Sequence, residues 1–137
     1  MAVAVFDADV LIAYLGRDEA NHGKAVRVMR YALEPGVRRL VCAVNYSEVL
    51  IGPLRSGGAA AAEIVDSMLV RFGIETIQVD MDLARRAASV RARTNLLLPD
   101  AYAVATAIHA EKRGWGDVRL ESFDRKVGRA YASLHGS

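Results

Sequence analysis

The stretch Val3-Ala4-Val5-Phe6-Asp7-Ala8-Asp9-Val10-Leu11-Ile12 carries the strongest architectural signal in the chain. Its four leading apolar residues predict a short buried strand. Asp7 ends that run. Helical character resumes over residues 10–15, and Asp9 is placed to cap that helix through its side chain. A buried strand feeding directly into a helix is the opening of a parallel α/β arrangement.

The same alternation continues outward. Ala25, Val26, Val28, Met29, Ala32 and Leu33 recur at helical spacing, so residues 22–34 predict a helix, stopped by Pro35-Gly36. Residues 38–43 predict a second strand. Two helices follow, over 46–55 and 59–72, separated near Ser56-Gly57-Gly58. Residues 74–79 read as a strand, 81–94 as a helix capped by Asp80, and 99–113 as a strongly apolar helix ending at Gly114. A last strand over 118–122 precedes a short helix over 125–134. The expected fold is one α/β domain over residues 1–137, with a central, mainly parallel sheet and helices on both faces.

The bulk numbers agree with a folded domain. The chain has 137 residues, 53% of them hydrophobic, and a mean hydropathy of +0.15. Its single cysteine, Cys42, excludes an intrachain disulfide. Cys42 lies in an apolar run, which predicts a buried inert thiol and a reducing, cytoplasmic setting. No positively charged segment precedes the first apolar run, so a signal peptide is not expected. No apolar stretch reaches the roughly 18 residues that a membrane span needs. The net charge is +2, and four acids gathered in one pocket would leave the rest of the chain at +6. An acidic pocket in a basic surface suits a polyanion held near bound cations.

The acids stand at the ends of apolar runs. Asp7 follows the first strand, Glu48 follows Leu40-Val41-Cys42-Ala43-Val44, Asp100 follows Leu96-Leu97-Leu98-Pro99, and Asp124 lies just past the last strand. In a parallel sheet the carboxyl ends of the strands share one edge, where ligands bind. Acids distant in sequence would meet there. Gathered like charges need a cation or raised pKa values, and oxygen-only donors suit Mg²⁺ or Mn²⁺. Each acid also has a local structural role open to it. Asn45 and Glu48 have capping-box spacing, Asp100 favours a helix start, and Asp124 caps the last helix.

At this point the chain resembles the PIN-domain ribonucleases of the VapC toxin type. The resemblance rests on Val5-Phe6-Asp7-Ala8-Asp9-Val10-Leu11-Ile12, Asn45-Tyr46-Ser47-Glu48-Val49-Leu50, Leu98-Pro99-Asp100-Ala101-Tyr102-Ala103-Val104-Ala105-Thr106-Ala107 and Glu121-Ser122-Phe123-Asp124. It implies a PIN-like fold and a metal site of Asp7, Glu48, Asp100 and Asp124 holding one or two Mg²⁺ or Mn²⁺ ions. Ser122 matches a Thr or Ser position. The implied activity is endonucleolytic RNA hydrolysis by metal-activated water, as the toxin of a type II toxin–antitoxin pair. The implied partners are RNA, a cognate antitoxin and a second copy of the chain. Asp9 stands where the family commonly has Ser or Asn, and the turn from Lys112 to Asp117 is longer than usual, so Asp117 competes with Asp124 as the fourth acid. Arg17, Lys24 and Arg27 are the candidates for holding the RNA backbone, with Arg85, Arg86, Arg91 and Arg93 as a second basic cluster.

Two other readings compete. Asp7-Ala8-Asp9 after a strand also matches the nucleophile and acid/base pair of haloacid-dehalogenase-like phosphatases, although Val10-Leu11 replaces the usual Gly-Thr and Glu48 and Asp100 are left idle. A PIN-like module that binds RNA or protein without turnover is the non-enzymatic alternative.

Overall fold

The computed structural model describes residues 1–16 and 18–136. Its elements run β1 (Ala2–Phe6), α1 (Ala8–Tyr14), α2 (Glu19–Ala32), β2 (Val37–Cys42), α3 (Ala43–Arg71), β3 (Ile74–Ile77), α4 (Met81–Arg93), α5 (Leu98–Lys112), β4 (Asp117–Glu121) and α6 (Arg125–Leu134). The four strands form one sheet in the order β3-β2-β1-β4, and each neighbouring pair is parallel. The expected α/β architecture is therefore present.

Strand alternation divides the core between the two faces of the sheet. Ala4, Phe6 and Val41 pack with Ala8, Val10 and Leu11 of α1, Met29 of α2 and Val65 of α3. Val3, Val5 and Leu40 pack against Ala107 and Ala110 of α5. Cys42 packs among residues of α4, α5 and α6, and its free thiol is buried as expected. Successive strand residues point to opposite faces, so a run that is apolar throughout serves both layers. Helix α5 is buried almost all round, from Ala101 to Ala110 with only Tyr102 partly open. Its small alanines let it lie against the sheet while α4 and α6 cover it.

Three boundaries differ from the sequence expectation in ways that matter. Helix α1 begins at Ala8, and its N-cap is Asp7, whose carboxylate accepts from the Ala8 amide at 2.8 Å. Asp9 lies in the first turn and is not the cap. Helix α3 begins at Ala43 directly off β2, so Asn45 lies inside its first turn; no side chain caps it, and the capping box is not formed. The two helices expected over 46–55 and 59–72 are one run broken at Gly58, where φ is +63° and ψ is −151°. Only glycine adopts that conformation readily.

Between α5 and β4 the chain must pass close to the start of β1. Gly116 has φ +145°, and a Cβ there would stand 2.3 Å from the Met1 carbonyl oxygen. That approach lets the Asp117 amide donate to the Met1 carbonyl at 2.8 Å and sets β4 in register with β1. Asp117 pairs with Ala2 and Glu121 with Phe6. Asp117 thus begins the strand at the amino edge, and the carboxyl end of β4 lies beside that of β1.

Candidate functional site

The chain reverses its direction of travel across the sheet at β1. It moves outward from β1 to β2 and β3, then returns to lay β4 on the other side of β1. Crevices at the carboxyl edge beside such a reversal are where open α/β sheets bind ligands. Asp7 lies there, one residue past β1 and 3% exposed. Its amide donates to the Glu121 carbonyl at 2.9 Å, which pins the end of β1 to the end of β4.

The loop from β4 to α6 folds onto the acids. Ser122 Oγ donates to Asp7 Oδ2 at 2.8 Å and accepts from the Asp124 amide at 3.1 Å. Asp124 caps α6 by accepting from the Lys126 amide at 2.8 Å. The Phe123 amide donates to Asp9 Oδ2 at 3.0 Å. Asp9 therefore holds the loop that presents Ser122 and Asp124, a role the sequence did not disclose.

Glu48 and Asp100 come from the other side of β1. Glu48 lies in α3, which leaves β2, and Asp100 lies in the first turn of α5. Asn45 joins them: its Nδ2 donates to Glu48 Oε1 at 3.0 Å and to the Pro99 carbonyl at 3.0 Å. Asn45 is fully buried. Sequence reasoning missed it as a positioning residue. The available signal was an amide within Cys42-Ala43-Val44-Asn45, since a buried amide needs partners.

Five carboxylates act on one another. Burial is the main cause that raises Asp7, up to about 7; Asp9 and Asp100 raise it further, while the Ser122 and Ala8 hydrogen bonds oppose the rise. Burial also raises Asp9, with Asp124 and Asp100 adding to it. Glu48 is raised by burial and by Asp100, and Asp100 by burial and by Asp124. Asp7, Asp9, Glu48, Asp100 and Asp124 therefore share one negative field. Among the described residues, no three His, Cys, Asp or Glu side chains converge tightly enough to form a ready ion cage. The donor set is nevertheless oxygen throughout. Asp9 Oδ1 and Asn45 Oδ1 are buried acceptors without a hydrogen-bond partner. Raised carboxylates and orphaned oxygens fit a hard divalent cation, and a cation would reverse the pKa shifts.

A family model for the PIN domain matches residues 4–131. The chain belongs to the PIN domain family. The match covers nearly the whole chain and leaves no place for the haloacid-dehalogenase-like alternative. Its fold is shared with VapC20 of Mycobacterium tuberculosis, a sarcin–ricin loop cleaving toxin, at a TM-score of 0.70 and 21% identity, over 93% of this chain and 94% of that one. A toxin–antitoxin complex from Klebsiella pneumoniae is similar at 0.60 and 24% identity, over 90% and 88%. VapBC-1 from nontypeable Haemophilus influenzae is similar at 0.66 and 12% identity, over 97% and 95%. At these identities the likeness establishes the fold. No curated protein matches the chain in sequence.

The structure of this PIN domain brings together the elements that carry Asp7, Glu48, Asp100, Asp124 and Ser122, and sets Asp117 at the opposite edge. Lys24 and Arg27 lie on the exposed side of α2. Arg17 lies outside the described residues. No described helix is long and apolar enough to cross a membrane.

Proposed function

We propose that this PIN domain is a divalent-metal-dependent endoribonuclease of the VapC type, the toxin of a type II toxin–antitoxin pair. The observation that carries the reading is the gathering of Asp7, Asp9, Glu48, Asp100 and Asp124, from four separate segments, at the carboxyl edge of a parallel sheet. The fold likeness to VapC20 and to two toxin–antitoxin assemblies supports it. The working unit is the single domain over residues 1–137, acting in the cytoplasm on RNA, restrained by a cognate antitoxin and paired as a homodimer.

In this reading Asp7, Glu48, Asp100 and Asp124 hold one or two Mg²⁺ or Mn²⁺ ions. Such an ion, when bound, supplies activated water at neutral pH and offsets charge on the phosphodiester under attack. The chain's own residues prepare the site. Ser122 donates to Asp7 and so favours its charged, ligating form. Asn45 orients Glu48 and ties its helix to the start of α5. Asp9 holds the loop bearing Ser122 and Asp124. Lys24 and Arg27, with Arg17, are the proposed contacts to the RNA backbone.

The direct test is incubation of the purified protein with a panel of structured RNAs. Cleavage is expected with Mg²⁺ or Mn²⁺ and none with chelator. Undiminished cleavage in chelator would overturn the metal-dependent reading. RNA binding without cleavage of any RNA at any metal concentration would favour the non-catalytic module.

Ser122→Ala gives a second test. The hydroxyl's hydrogen bond lowers the Asp7 pKa, so its loss should raise that pKa further. The acid limb of the cleavage pH profile should move to higher pH, and turnover near pH 7 should fall about tenfold, as for loss of a ligand-orienting group. An unshifted profile would show that Ser122 does not act through Asp7.

A further inference from the structure

A second charged feature lies away from the acids. The first half of α4 and the last turn of α5 enclose a cleft of about 410 Å³. Arg85, Arg86, Lys112 and Arg113 line it together with His109, and Asp82 is the one acid among its described lining residues. Among the described residues, none of Arg85, Arg86 and Arg113 forms an ion pair. Arg86 Nε is buried and lacks a hydrogen-bond partner. A buried guanidinium donor left unsatisfied is costly, so its persistence needs an explanation.

His109 reports the same field. Burial lowers its pKa, and Arg113 and Arg86 lower it further, although Asp80 and Asp82 act in the other direction. The two guanidiniums thus act on the His109 ring from the cleft side, against a further proton. Asp100 and Lys112 lie twelve residues apart on α5, or about 18 Å along the helix axis. The cleft is therefore separate from the acidic edge.

We propose that the α4–α5 cleft is a binding site for phosphate oxyanions, with Arg86 and Arg113 as its principal donors. The planar guanidinium fork matches phosphoryl oxygens, and a bound anion would give the Arg86 guanidinium a counter-charge and offset the crowded positive charge. The phosphoryl group has two possible sources, the backbone of an RNA strand or a small free phosphate. The proposal does not depend on the nuclease reading.

The test follows the His109 imidazole resonance by NMR, assigned by its loss in His109→Gln. Sodium phosphate, sodium pyrophosphate and a short oligouridylate are titrated separately at constant ionic strength, with chelator present so that no RNA is cut. Sodium acetate serves as the carboxylate control. A saturable shift with phosphate or pyrophosphate is expected, absent with acetate and weakened at least tenfold in Arg86→Gln/Arg113→Gln. Asp100→Asn should respond as the wild type does, so failure of the acidic site leaves this readout intact. Saturation by oligouridylate at a tenfold lower concentration than phosphate would identify the RNA backbone as the source. A response to phosphate with none to oligouridylate would identify a small phosphate. Equal responses to acetate and phosphate, or an unaltered titration in the double variant with an unchanged melting temperature, would overturn the proposal. Arg113→Gln alone, which alters no buried group, keeps the test valid if the double variant unfolds.

Discussion

Asp7→Asn is expected to lower RNA cleavage by at least about a hundredfold while making the metal-free protein more stable above neutral pH. The two effects share one cause. The Asp7 carboxyl is buried among like charges and is raised from 3.8 to about 7. Below pH 3.8 both the folded and the unfolded chain hold its proton, and nothing is lost. Between pH 3.8 and about 7 the unfolded chain has released the proton while the folded chain retains it. Stability therefore falls as pH rises through that window. Above about 7 the loss is complete and amounts to roughly 4 kcal/mol, from about 1.36 kcal/mol per unit.

Asn keeps the shape and the capping oxygen of Asp7 and removes the charge. In chelator at pH 8 the melting temperature should therefore rise by about 10 °C, with little change at pH 4. Added Mn²⁺ should reverse the order, because ion binding stabilises the wild type by mass action. Scanning calorimetry at the two pH values, with and without Mn²⁺, checks both signs. A variant that is less stable than wild type in chelator at pH 8 would mean that Asp7 serves the fold through its hydrogen bonds to Ala8 and Ser122.

The second large effect separates Asp124 from Asp117. Asp124→Asn should weaken Mn²⁺ binding more than tenfold, and Asp117→Asn should leave it within about twofold of wild type. Asp124 lies past the carboxyl end of β4, where it adds to the field at Asp9 and Asp100. Asp117 is exposed and pairs with Ala2 at the other end of the strand. Asp117 and Glu121 lie four positions apart along the strand, or about 13 Å, while a metal–oxygen bond spans about 2.1 Å. Asn remains a good N-cap, so the bond from the Lys126 amide and helix α6 should survive in Asp124→Asn. Calorimetric titration of Mn²⁺ into both variants decides the matter. Equal weakening by the two substitutions would remove Asp124 from the proposed ligand set.

Much of the architecture was legible along the chain because its signals are local. A four-residue apolar run, the Pro35-Gly36 stop, the Asp80 cap and the Gly114 terminus each act within a turn or two of themselves. The alternation of strands and helices then restricts the connections to a parallel sheet with helices on both faces. The helix starts were less legible. Asp7 and Asp9 compete for one cap position, and the choice depends on where β1 stops pairing with β4. Asn45 and Glu48 have the spacing of a capping box, yet α3 leaves β2 three residues early and turns Asn45 inward.

The strands, the existence and approximate extent of most helices, and the positions of the acids at the ends of apolar runs are local properties of the chain and could be read along it. Which groups touch depends on how distant segments pack. The strand order β3-β2-β1-β4 brings the end of β4 beside the end of β1, so Ser122 reaches Asp7 across 115 positions and the Phe123 amide reaches Asp9 across 114. Asn45 reaches the Pro99 carbonyl across 54. Such contacts leave no local periodicity, because they arise when separate segments are buried against one another and their polar groups must find partners away from water.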